Sequence, residues 1–253
     1  MDLQRYERQI AFEKLGEKGQ RMLASSRVAI IGLGALGSVS GGQLARSGIG
    51  SLRIVDGDTV NITNLHRQIL YTQKDAANAV SKVIAAKKAL QQANSNIEIQ
   101  AVNSPLTNEN IDAVLENVDL VVDASDNFEV RLLINEACRV KKIPWIYGAA
   151  VRAQGMTMNF LSGKEDPCLA CVLENNEITT DPKETCAVSG VLSMITGTIA
   201  SIQAVEAVKI LTDAATIRKT MLHVDLWENT FRQLEFSPWK DCPVCKGVYS
   251  YYE

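Results

Sequence analysis

The sequence predicts an α/β protein whose mostly parallel, doubly wound sheet is extended by antiparallel strands. Three observations carry this. Short apolar runs alternate with helix-period segments through the first 150 residues, the pattern of successive βαβ units. A glycine-rich turn, Gly32-Leu33-Gly34-Ala35-Leu36-Gly37, joins the first such run to the first such helix. Beyond residue 150 the alternation gives way to strand-like stretches on either side of a long helix.

The elements follow in order. Arg27–Ile31 (RVAII) reads as a short buried strand, Ala35–Ser47 as a helix and Ser51–Val55 (SLRIV) as a second strand. An amphipathic helix is predicted over 75–93, with a strand near 97–102. A helix over 108–116, a strand over 118–123, a helix over 129–141 and a strand over 143–149 complete the alternation. Residues 152–161 and 219–236 read as antiparallel strands, separated by a helix over 190–211. These extend the same sheet, so one domain is expected over 1–253. The polar loop 174–186, with Asn175-Asn176, Thr179-Thr180 and Asp181-Pro182, is expected to be exposed.

Composition narrows the function. The 253 residues are 46% apolar with a net charge of −3, which lacks the basic footprint of a nucleic-acid binder. Met1 to Arg8 holds no apolar stretch, so no signal peptide is expected. The uncharged run 187–205 is long enough to raise a membrane span. Its Ser189, Ser193, Thr196, Thr198, Ser201 and Gln203 read instead as a buried helix with small-residue packing. Six cysteines in a chain without an export signal argue against disulfides.

The glycine turn carries the first chemistry. Its G-x-G-x-x-G spacing follows a strand and opens a helix. There, backbone N–H groups and the helix dipole meet phosphates. Asp56 ends the second strand, nineteen residues after Gly37, where an acid accepts from a ribose hydroxyl. Alone, this reads as an adenine-nucleotide site with NAD as the default ligand. Asn64-Leu65-His66-Arg67-Gln68 and Lys82 follow closely. An Arg and a Lys beside a glycine turn can neutralise a triphosphate, although each can equally be a solvated surface charge. Asp126 lies just past the fourth strand, placed either to hold Mg²⁺ or to cap the next helix.

Cys168-x-x-Cys171 and Cys242-x-x-Cys245 carry the second. Four thiolates suit structural Zn²⁺, and 70 residues separate the pairs. Closing that loop costs on the order of 4 kcal/mol, against roughly 10–16 kcal/mol for structural zinc. Cys186 is left before a helix, either as an activated nucleophile or as a small buried residue. Cys138 reads as core. Neither His66 nor His223 has an assignable partner.

Together these motifs resemble the ThiF/MoeB/HesA family, prokaryotic relatives of the ubiquitin-activating enzymes. The resemblance rests on Arg5-Tyr6-Glu7-Arg8-Gln9, G-x-G-x-L-G, D-x-D at Asp56 to Asp58 and N-L-x-R-Q at Asn64 to Gln68. It also rests on D-x-x-D-N at Asp123 to Asn127, Thr185-Cys186 and the two cysteine pairs. It implies a Rossmann-like nucleotide-binding half over 27–150. An antiparallel extension over 151–253 would carry a four-cysteine zinc site and the crossover loop. It implies a cytoplasmic homodimer that uses Mg-ATP to adenylylate the C-terminal Gly-Gly carboxylate of a ThiS- or MoaD-like sulfur carrier. Gly32, Gly34, Gly37, Asp56, Asp58, Asn64, Arg67, Lys82 and Asp126 would bind the nucleotide. Asp126, Arg67, Lys82 and Arg8 would serve catalysis, Arg8 from the partner subunit. Cys186 would serve a later sulfur-transfer step. The segment between Cys171 and Cys186 is a few residues longer than the bacterial pattern. The chain ends eight residues after Cys245, without a rhodanese domain, so a separate sulfur-donor protein is expected. Two rival readings share the fold: activation of a tRNA-bound or peptide carboxylate, and a non-catalytic nucleotide-binding paralogue.

Overall fold

The computed structural model describes residues 3–163, 165–174 and 189–252. A short turn of helix at Gln4–Tyr6 leads into α1 (Glu7–Ile10) and α2 (Gly16–Ser25). Then come β1 (Arg27–Ile31), α3 (Ala35–Ser47), β2 (Ser51–Val55), α4 (Gln73–Ala77), α5 (Lys82–Ala93) and β3 (Glu98–Val102). Next are α6 (Ile111–Leu115), β4 (Leu120–Asp123), α7 (Phe128–Lys141), β5 (Trp145–Val151), β6 (Gln154–Phe160) and α8 (Leu169–Glu174). The chain continues as α9 (Ser193–Leu211), β7 (Met221–Asp225) and β8 (Thr230–Leu234).

One eight-stranded sheet runs in the order β3-β2-β1-β4-β5-β6-β7-β8. β3 to β5 pair in parallel and β5 to β8 antiparallel, as predicted. Strand alternation divides the core. Val28 and Ile30 of β1 join the cluster under α3, α5 and α9, whereas Ala29 and Ile31 join the cluster under α6 and α7. Chain order reverses between β1 and β4, so their C-terminal ends form the switch point at which such sheets bind ligands.

Three elements depart from expectation. The helix predicted over 75–93 is two helices. Residues 78–81 leave the helix to pair with the loop after β2: Val60 N–H donates to the Val80 carbonyl at 2.8 Å and Lys82 N–H to the Asp58 carbonyl at 2.9 Å. Ala79 adopts φ +44° at that break. The helix predicted over 108–116 is only Ile111–Leu115. The Asn110 side chain instead holds Thr107 N–H and the Pro105 carbonyl. The long helix α9 is buried on one face only. Ile195, Ile199, Gln203 and Ala207 face the sheet, whereas Met194 and Val205 are 67% and 55% exposed. By length and composition α9 could cross a membrane, and half of that stretch is buried inside the protein.

Candidate active site

The glycine turn shows which of its glycines the protein itself requires. Gly32 sits at φ +89°, and a Cβ there would lie 2.7 Å from the Ala124 carbonyl oxygen. A Cβ on Gly37 would overlap the Gly32 carbonyl oxygen. Gly34 differs: the nearest atom to a Cβ is Gln68 Nε2, at an ordinary 3.7 Å. The first and third glycines therefore serve the fold. The second leaves space that the protein does not fill, at the N-cap of α3. That is what a nucleotide's approach to the backbone requires.

The Leu33 peptide within the turn is clamped from both sides. Asp56 Oδ2 accepts its N–H at 2.8 Å, and the Tyr71 hydroxyl donates to its carbonyl at 2.7 Å. Burial, with Asp56 and Asp58 nearby, pushes the Tyr71 hydroxyl far above its ordinary pKa, so it remains a donor. Asp56 Oδ1 accepts the Asp58 N–H at 2.8 Å. Lys82 Nζ lies 2.7 Å from Asp58 Oδ2 and 3.7 Å from Asp56 Oδ2. Asn64 ends a short helical turn whose capping box with Asn61 fixes it. The Arg67 guanidinium donates to the Thr63 carbonyl and faces His66 Nε2 at 2.7 Å. That contact supplies the partner His66 lacked in the sequence.

At the end of β4, Ala124 and Ser125 abut Gly32, followed by the exposed Asp126. The cap of α7 is Asn127, which accepts from Glu129 and Val130 N–H. Asp126 is thereby free of the capping role that its spacing allowed. Sequence reasoning missed the group beneath it. Arg131 NH2 donates to the Ser125 carbonyl at 2.7 Å and the Gly148 carbonyl at 3.3 Å. Its Nε lies 3.3 Å from Asp123 Oδ2, and its guanidinium sits 5.0 Å from the Tyr147 ring centroid. Burial pushes the Asp123 carboxyl up, against the opposing pull of Arg131 and Ser125. Gln203 on α9 donates to the Asp123 carbonyl at 2.7 Å. The available signal was a lone charge in an apolar stretch: Arg131 follows Val130 and precedes Leu132, Leu133 and Ile134.

Arg8 lies exposed on α1, and none of the contacts among the described residues joins it to the glycine turn. Cys186 lies outside the described residues. Cys138 is fully buried in the core, with its thiol pushed up by burial.

The two cysteine pairs meet. Cys168 Sγ lies 3.8 Å from Cys171, 3.6 Å from Cys242 and 3.6 Å from Cys245, and Cys171 lies 3.7 Å from Cys245. A regular tetrahedron of Zn–S bonds has edges of about 3.8 Å, so the thiols fit zinc. Trp239 and Tyr249 pack against the cluster. Helix α7 anchors both pairs. Asn135 accepts Leu169 N–H at 2.8 Å, and Glu136 Oε2 accepts the N–H groups of Ser250, Tyr251 and Tyr252 at 2.7–2.9 Å.

Residues 6–244 match the ThiF family. The chain belongs to the ThiF family. Among its relatives, sulfur carrier protein ThiS adenylyltransferase of Bacillus subtilis is 37% identical over 95% of this chain and 71% of its own length. Molybdopterin-synthase adenylyltransferase of Escherichia coli is 35% identical over 96% of each chain. Adenylyltransferase and sulfurtransferase MOCS3 of Aedes aegypti is 39% identical, and this chain spans about half of its length, 55%. Among solved structures, E. coli MccB with ATP shares the fold, with a TM-score of 0.82 at 21% identity over 96% of this chain and 75% of MccB.

Proposed function

We propose that this ThiF-family protein transfers AMP from ATP to the C-terminal Gly-Gly carboxylate of a ubiquitin-like sulfur carrier of the ThiS or MoaD kind. The names of relatives aligned along nearly their whole length support the substrate class. The observation that carries the chemistry is the glycine turn. It leaves Gly34 open to a ligand and packs against the loop that ends in the exposed Asp126.

The carrier carboxylate attacks the α-phosphorus in line. The bond from that phosphorus to the bridging oxygen breaks, and pyrophosphate leaves with the electron pair. A carboxylate is already ionised at neutral pH, so no general base is needed. Catalysis is then positioning and charge neutralisation. Asp56 would face the ribose, and Asn64, Arg67 and Lys82 the phosphates. Mg²⁺, when bound, neutralises phosphate oxygens, and Asp126 would hold it. The four cysteines would hold Zn²⁺ structurally, tying the C-terminal segment to α7.

A homodimer is part of this reading. An apolar patch of Met194, Ile202 and Val205, with Thr198 and Ser201, lies open along α9, with the buried Val39 of α3 beneath it. Arg8 lies on α1, whose Gln9 reaches the Ser47 carbonyl at the C-terminal end of α3 rather than the glycine turn at its start, and would then act in the partner's site. A sulfur-donor protein would supply the later sulfur-transfer step, in which Cys186 would take part. The free, clustered thiols suit a reducing, cytoplasmic setting.

The test is ATP–pyrophosphate exchange with Mg²⁺ against a panel of ThiS- and MoaD-like carriers. Exchange is expected only with the cognate carrier. Asp126→Ala should lower it by at least about 100-fold with an unchanged melting curve. Exchange without any carrier would overturn the reading.

A further inference from the structure

Lys82 occupies an electrostatically unfavourable place. It is the first residue of α5, a twelve-residue helix with no acidic residue in its first turn. A cation at a helix N-terminus opposes the positive end of the dipole. Its side chain is only 8% exposed, so water screens it little. The charge is offset by two carboxylates, Asp58 at 2.7 Å and Asp56 at 3.7 Å. These two carboxylates are not equivalent. Asp56 is committed to the backbone, with each oxygen accepting an N–H, from Leu33 and from Asp58. Asp58 is 74% exposed, and its side chain has no other hydrogen bond among the described residues. Its backbone is nonetheless locked beside Lys82. Lys82 N–H donates to the Asp58 carbonyl, and Thr59 bridges Ser81.

We infer that Asp58 is not a nucleotide ligand but an internal counter-ion that holds Lys82 until a polyphosphate displaces it. This rests on the proposed function, in which Lys82 meets the phosphates. A polyphosphate offers the ammonium several negative oxygens at once. Asp58 offers it one carboxylate and can turn out to solvent when displaced. The site thus favours a ligand that presents several negative oxygens over a single carboxylate. Affinity is lowered by the cost of breaking the pair.

The experiment is a double-mutant cycle on Asp58→Asn and Lys82→Met, with calorimetric titration of ATP and of inorganic tripolyphosphate. Asp58→Asn should bind both ligands about three- to five-fold more tightly than wild type. That gain should shrink to under about two-fold in the Lys82→Met background, since what remains is the simple removal of a negative charge. Equal or weaker binding by Asp58→Asn overturns the inference, and so does a gain that persists without Lys82. Asp58→Ser replaces Asn if melting curves show a folding defect. Carrier-dependent exchange, measured alongside, separates the two claims. Exchange without coupling sinks the counter-ion role alone. Coupling without exchange on any carrier sinks the proposed activity alone.

Discussion

Arg131→Met removes the cation beside Asp123, a carboxylate that the fold buries completely. The guanidinium lies 3.3 Å from that carboxylate and also donates to the Ser125 and Gly148 carbonyls. Deleting one member of a buried pair costs about 3–5 kcal/mol, mostly from the charge left behind. In a chain of this size each kcal/mol moves Tm by about 2–4 °C, so the variant should melt roughly 6–20 °C below wild type at pH 8. Adding Asp123→Asn removes the stranded charge and should restore at least half of the loss. The pH dependence carries a sign. Burial pushes the Asp123 carboxyl up even with Arg131 present, and Arg131→Met removes the main opposing influence. A carboxyl whose folded pKa exceeds its unfolded value of about 3.9 contributes stability below that value and loses it as pH rises through the folded pKa. The deficit of Arg131→Met should therefore be smaller at pH 5.5 than at pH 8. Thermal melts at both pH values, for both single variants and the double variant, measure this. A deficit below about 1 kcal/mol, or one that grows on acidification, would refute the pairing argument.

Two further outcomes follow from the same geometry. Metal analysis should find about one zinc per chain, and Cys242→Ser should bring it close to zero with a lower Tm; a metal-free protein with unchanged stability counts against the zinc site. Val205→Asp, on the exposed face of α9, should shift gel filtration at micromolar protein from dimer to monomer and reduce exchange, while the melting curve of the monomer stays cooperative. An unchanged elution volume removes that face from the dimer reading.

The sheet was legible because its strands are short, apolar and bounded by turns. Arg27–Ile31 and Ser51–Val55 form with the bounds read from the sequence. The glycine turn and the cysteine pairs were legible because their spacing encodes local geometry. The break between α4 and α5 was not, because tertiary pairing of 78–82 with 58–60 overrides a continuous helical pattern. The exposed half of α9 was hidden for a related reason. An uncharged helix reads alike whether one face or both are covered, and periodicity alone does not distinguish them. Tyr71 was missed since it acts through space on a backbone carbonyl, a partner that leaves no mark in the sequence, and Arg131 since only the fold brings it to Asp123 and to the Ser125 and Gly148 carbonyls. Of the candidate site residues, Asp56, Asp58 and Lys82 form one hydrogen-bonded group, whereas Arg8 stands apart.

The packing of Trp239 against the buried cysteine cluster has an optical consequence. The chain's three tryptophans sit in three different surroundings. Trp145 is stacked on Phe160 deep in the core, and Trp227 is 75% exposed on the β7–β8 hairpin. Trp145 should emit as a shielded indole until the whole sheet melts, and Trp227 as a hydrated one throughout. If the cysteines bind zinc as proposed, only Trp239 is positioned to change its emission on metal uptake or loss. Intrinsic fluorescence would then report the proposed zinc binding in the native protein, without a dye and without unfolding it.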